Sequence, residues 1–203
     1  MRAIWKRELK SYFQTVTGWL FIAATLALFG LYFYLNNMYY GSTDISSTLS
    51  AVTFLFLVTV PILTMRTLAE ERKNKTDQLI LTSPVSVEKV VLAKYLATGT
   101  VFTISAAVMC LAPLIMSAYG SVAFVKSYVG VLGFWLYGMT CIAIGTFVSS
   151  LTESIVISAV LTFVFLFVGY LMTGITNLIS QNGNMITKIL GCYDLTKHMD
   201  MLM

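Results

Sequence analysis

The chain is short of charge before it is short of anything else. Of its 203 residues only 11% are Asp, Glu, Lys or Arg, while 58% are hydrophobic, and its mean hydropathy is +0.82. A soluble domain carries about a quarter charged residues, so this chain cannot clothe a water-facing globule of its size. Prolines number three, which leaves long stretches free to be helical. Histidine occurs once, at His198, and the three cysteines, Cys110, Cys141 and Cys192, form no CxxC pair. A metal site therefore lacks a ligand set, and the thiols read as small buried hydrophobes. No cofactor is expected. The chain has no GxxxxGK[ST] phosphate loop, no HExxH, and no buried acid pair for intramembrane proteolysis, so it is not expected to be an enzyme. Despite a pI near 8.9, nucleic acid is not an expected partner, because the basic residues cluster in loops between apolar runs.

Those apolar runs are the main thing present. Five are long enough to cross about 30 Å of hydrocarbon. They are Gly18 to Leu35, Leu49 to Met65, Tyr95 to Ala118, Tyr128 to Ser150 and Ser154 to Thr176, and none contains Asp, Glu, Lys, Arg or His. The expected fold is an all-α integral membrane protein with about five transmembrane helices. The first run is too long for a signal peptide and lacks a convincing cleavage site. Ten of the thirteen basic residues lie before the first run or between the second and third, on one side of the membrane. The positive-inside rule places that side, with the N-terminus, in the cytoplasm of a cell membrane. Asn74-Lys75-Thr76 falls in that loop and reads as a chance sequon.

Residues 1–16 have a pattern of their own. Trp5, Leu9, Tyr12, Phe13 and Val16 share one side of a helix, opposite Lys6, Arg7, Lys10 and Gln14. This suits an interfacial helix lying among lipid headgroups. Residues 66–94 form a long loop of mixed charge. Glu70, Glu71, Arg72 and Lys73 follow the second span directly, then Thr76, Asp77 and Gln78 lead into Leu79-Ile80-Leu81. Pro84 ends any helix there, and Ser86 to Lys89 starts a segment running into the third span. The pattern fits a short helix suited to a protein groove, or a solvated loop with its leucines folded back on the bilayer. Composition weighs these equally.

"MRTLAEERKNKTDQLILTSPVSVEKVVLAKYLA", Met65 to Ala97, resembles the first cytoplasmic loop of ABC type-2 transporter permeases, particularly the gliding-motility-type exporters. "IWKRELKSYFQTVTGWLF", from Ile4, resembles that family's opening helix and its lead into span one. "SSLTES", Ser149 to Ser154, resembles the turn between its spans four and five. The resemblance implies a cytoplasmic coupling helix that docks in a cleft of a separate ABC ATPase subunit, through Glu70, Glu71, Arg72, Thr76, Leu79, Leu81 and Pro84, with Glu153 as a second contact. It implies a second permease subunit, identical or not, with spans two and five at the interface. There Phe163, Phe167 and Tyr170 are candidates for a gate or dimer interface, although ordinary packing or lipid contact explains such a stripe more simply. An auxiliary extracytoplasmic protein would also fit.

The chain departs from the family pattern at several points. Thr15-Val16 stand where Ser-Pro is frequent, so a less sharp turn into span one is expected. Lys75 stands where glycine is frequent, and Gln78 where glutamate is. The family has six spans; residues 177–203 read instead as an extracytoplasmic segment, without a sixth. The expected function is the permease subunit of an ATP-driven exporter. A secondary transporter is disfavoured, because it would place ionisable residues at membrane depth. A non-transporting scaffold or sensor of the same architecture is the second reading. No residue selects a substrate.

Overall fold

The computed structural model describes residues 2–42, 44–76, 86–118 and 122–179, with side chains through Leu171. Helix α1 spans Arg2–Gln14, and α2 spans Val16–Phe33 and continues as one π-helical stretch, Tyr34–Tyr39. Next come α3 (Ser46–Thr64), the five-residue α4 (Ala69–Lys73), α5 (Val87–Met109), α6 (Ala112–Ser117), α7 (Phe124–Leu151) and α8 (Ile155–Ile179). There is no strand among the described residues. Four helical stretches are long and apolar enough to cross a bilayer: Val16–Tyr39, Ser46–Lys73, Val87–Ser117 and Phe124–Leu151. The apolar α8, at 25 residues, is long enough to be a fifth. The protein is an all-α integral membrane protein.

Helix α3 is the centre of the bundle, packed on α2, α7 and α8, while α5 packs on α2 and α7. At its heart Phe56 meets Phe102 edge to face at 5.4 Å, Phe134 at 4.8 Å and Tyr137 in a stack at 6.2 Å. Phe21 of α2 reaches Phe102 at 6.4 Å, so one aromatic cluster joins α2, α3, α5 and α7. Lipid tails are as apolar as these rings, so the cluster stabilises the fold by close contact rather than by escape from water. Close contact needs small partners. A Cβ on Gly145 of α7 would collide with the Thr64 side chain of α3, so those helices cross where glycine permits.

Several boundaries differ from the sequence reading. The third apolar run is broken by a turn at Cys110–Leu111, and Pro113 sits in the first turn of α6. Proline is tolerated there because the first amides of a helix have no intrahelical acceptor. Helix α5 begins at Val87, eight residues before the apolar run, and so carries Glu88, Lys89 and Lys94 within it. Helix α8 continues through Ile179 and takes in the start of the segment 177–203; residues 180–203 lie outside the described residues. The turn from α1 into α2 is tight even without Ser-Pro. Thr15 is extended (φ −94°, ψ 155°), and a Cβ on Gly18 would strike the Tyr12 carbonyl six residues back. Trp19 clamps the turn by donating its indole N–H to the Phe13 carbonyl at 2.9 Å.

Replacing Phe56 by Ala should destabilise the protein by about 3–5 kcal/mol, the usual cost of a buried aromatic and the cavity it leaves. Thermal unfolding of the purified protein in detergent measures this, and Phe56→Leu should lose less.

Candidate functional site

The connector from α3 to α5 and the opening helix α1 meet at one end of the bundle. They enclose a cleft of about 430 Å³ lined by Arg7, Glu8, Tyr12, Arg66, Glu71 and Lys94 among others. The connector begins with a turn at Met65–Leu68, so α4 is separated from α3 rather than continuous with it. A helix this short has no internal stability of its own. Its shape is imposed at both ends.

At its start, the backbone N–H groups of Leu68 and Ala69 both donate to Ser149 Oγ at 3.1 Å. The cap therefore comes from α7, about eighty positions along the chain, and Ser149 is fully buried. At its end, Lys75 N–H donates to the Arg72 carbonyl and Thr76 N–H to the Glu71 carbonyl, both at 3.0 Å. These are the paired bonds of a Schellman motif, whose C′ residue is left-handed. Lys75 takes that position with φ 55°, the conformation glycine adopts without steric cost. The frequent glycine of the resembling family at this position thus has a physical reason, and lysine here carries the strain instead. Helix α4 itself ends at Lys73, and the stretch that Pro84 is expected to end lies outside the described residues.

The charges on α4 divide by direction. Glu70 accepts a forked pair of hydrogen bonds from Arg66 Nε and Nη2, both at 2.9 Å. Those bonds hold the Glu70 carboxyl below its ordinary value of 4.5 despite partial burial. Glu71 points inward, with Oε1 2.9 Å from the Lys94 ammonium of α5. Lys94 is only 4% exposed, donates to the Thr67 carbonyl at 2.7 Å, and lies 3.6 Å from Glu8 Oε2 of α1. Arg7 spans the same two carboxylates from outside, 3.2 Å from Glu8 and 3.7 Å from Glu71. Nearby, the Tyr12 hydroxyl contacts Thr98 Oγ1 at 3.3 Å and donates to the Leu63 carbonyl at 3.4 Å. Burial pushes its pKa up to about 12, so the phenol keeps its proton.

The expected site residues are thus distributed unevenly. Glu70 and Glu71 are held in the ion-paired cluster; Arg72 and Thr76 are exposed on α4 and its cap. Glu153 is exposed in the turn between α7 and α8. Leu79, Leu81 and Pro84 lie outside the described residues. Phe163 and Phe167 stack on each other along α8 at 5.7 Å, each more than a third exposed. Tyr170 turns toward α3, edge to face with Phe54 at 5.5 Å, so the three aromatics do not form one contiguous patch of equal exposure. The opening helix differs from the expected simple interfacial helix: Tyr12 is buried against α3 and α5, whereas Val16 is 75% exposed and belongs to α2.

Sequence reasoning missed Glu8 and above all Lys94, which counted only as a loop charge setting topology, and it had Ser149 only as the start of the SSLTES turn, not as a cap for α4. A signal was present. Val90, Ala93, Ala97, Thr98 and Val101 are the buried positions around Lys94, and its number falls on that helical stripe. A charge inside a stripe of small residues marks burial with a partner.

A family model of ABC-2 family transporter proteins matches residues 20–193. The chain belongs to this family. No curated protein and no solved structure matches it. The ABC-2 match takes in α4, Lys94 and Ser149 and begins after α1, so Arg7, Glu8 and Tyr12 lie before the matched residues. The chain is therefore a multi-pass membrane permease component of the ABC-2 kind.

Ser149→Ala should cost about 1–3 kcal/mol in thermal unfolding, since two amides lose their acceptor in a buried setting. Ser149→Thr, which keeps the hydroxyl, should lose less. The Glu70–Arg66 pair adds a pH dependence. Because the folded-state pKa is lowered, the pair's contribution is complete above 4.5 and is lost as pH falls through the lower folded value. Unfolding curves taken from about pH 6 to about pH 3 should show a smaller acid loss for Glu70→Gln than for the parent protein.

Proposed function

We propose that the chain is the membrane-spanning subunit of an ATP-driven exporter, coupled to a separate cytoplasmic ATPase through the connector 66–84. The observation that carries this reading is the construction of α4. A five-residue helix is capped at one end by a serine from α7, closed at the other by a Schellman turn, and ion-paired to α5 through Glu71. Such an element takes its shape from its contacts and is tied to three spanning helices at the bundle's basic end. Force applied to it reaches α3 through the Met65–Leu68 turn and α7 through Ser149. Arg72, Thr76 and the Leu79-Ile80-Leu81 cluster supply the docking face, and Glu153 adds a contact from the α7–α8 turn.

In this reading the ATPase closes on ATP and pulls on α4, and the membrane helices respond. Two copies of this subunit, or this one and a related subunit, pair through the α3 and α8 side, where Phe163, Phe167 and Tyr170 border the path. The N-terminus lies in the cytoplasm of a cell membrane, as the basic residues of α1 and the connector require under the positive-inside rule. An extracytoplasmic auxiliary protein is compatible with this arrangement. ATP hydrolysis belongs to the partner.

The test is affinity purification of the tagged protein from its own cells, followed by photolabelling with azido-ATP. A labelled polypeptide other than this chain should co-purify with the parent protein. It should be lost from Leu79→Asp/Leu81→Asp, with that variant still in the membrane fraction. Absence of any labelled partner, or its retention by the double variant, overturns the coupling assignment.

A further inference from the structure

The Lys94 ammonium has two carboxylate partners on two different elements, and the elements are held very differently. Glu8 belongs to α1, a thirteen-residue helix packed along α5, the helix that carries Lys94 itself. Glu71 belongs to α4, a single short turn bounded by turns on both sides. The closer partner is the one on the shorter element, which is held by polar tethers rather than by packing along α5: 2.9 Å to Glu71 against 3.6 Å to Glu8. Both carboxylates are mostly covered, at 17% and 16% exposed, and Lys94 is covered almost completely. If Glu71 alone neutralised this cation, any displacement of α4 would strand a buried charge, and α4 would be locked to α5. With Glu8 in place it is not.

We propose that Glu8 is the reserve counter-ion of Lys94, so that α4 can exchange its ion pair with α5 while α1 keeps the buried charge neutralised. Glu8 and Lys94 are then positioning residues for coupling, and α1 is a working part of the coupling apparatus rather than a membrane anchor alone. Movement of α4 rests on the function proposed above; the sharing of the cation does not. Arg7 reinforces the sharing from the exposed side, where water screens it, and is not required for it.

A stability cycle on the purified full chain in lipid nanodiscs tests the sharing without any partner. Glu8→Gln and Glu71→Gln should each lower Tm by about 3 °C, because one carboxylate suffices. The double variant should fall by about 10 °C or fail to fold, well beyond the sum. Adding Lys94→Met to the double should recover most of that loss, since no charge is then left to neutralise. A double variant that is merely additive, or one that Lys94→Met does not rescue, overturns the proposal. The movement is tested in the complex that carries the azido-ATP-labelled subunit. Spin labels at Lys6 and Lys73 report α1 to α4, and labels at Lys6 and Lys89 report α1 to α5. ATP with vanadate should lengthen the first distance and leave the second unchanged. An unchanged first distance overturns the exchange. Failure to isolate any labelled partner instead overturns the proposed function, while the stability cycle still decides whether the cation is shared.

Discussion

One ammonium group organises the basic end of this protein. Lys94 is taken out of water by α5, yet it is a charge, and a buried charge costs several kcal/mol unless it is neutralised and hydrogen-bonded. The chain meets that requirement by bringing three otherwise separate pieces to it. These are the Thr67 carbonyl from the turn after α3, Glu71 from α4, and Glu8 from α1. The position of α1 over α5, the inward face of α4 and the cleft between them all follow from that demand. Ser149 then fixes α4 from the side of α7, and the forked Arg66–Glu70 pair stiffens its outer face.

The spanning helices meet a different demand. In lipid there is little to gain from hiding one apolar residue rather than another, so contact quality decides which faces meet. On α5 the buried side carries Ala93, Ala97 and Gly99, while Leu92, Leu96 and Ile104 are exposed. On α7, Gly138 and Gly145 receive Phe102 and Thr64. Small residues form the seams, and the large aromatics fill the one place where four helices converge. At the far end, Asp44 links the start of α3 to α7. Its carboxylate pairs with Lys126 at 2.7 Å and accepts from Ser46 N–H at 3.0 Å. Those bonds outweigh burial and hold its pKa below the ordinary value.

The same contrast gives the ABC-2 reading its physical content. A bundle whose core is packed tightly is stiff, whereas a short helix tethered by polar contacts can be displaced as a unit. Energy supplied from outside the membrane needs such a handle. In the function proposed above that handle is α4, whose tethers to α7 and α5 are polar and specific.

Much was legible in the sequence for a simple reason. The cost of carrying charge through hydrocarbon confines it to the ends of spans, so apolar length alone identified the spanning helices and collected most basic residues at one end. The mixed charges after Met65 are a local effect that local sequence marks, whereas the tight turn at Thr15 and the left-handed Lys75 are not marked, since neither Ser-Pro nor glycine stands there. Apart from the small-residue stripe of α5, which face of a helix is buried was not legible, because both faces of a membrane helix are apolar and the usual periodicity is silent. Nor was it legible that Ser149 caps a helix eighty positions away, or that Lys94 lies between Glu8 and Glu71. These contacts exist only once α1, α4, α5 and α7 are brought together. The sequence by itself determined a charge-poor bundle with a charged end; the tertiary structure alone decided which charges pair, because a pairing across distant segments is a property of their packing.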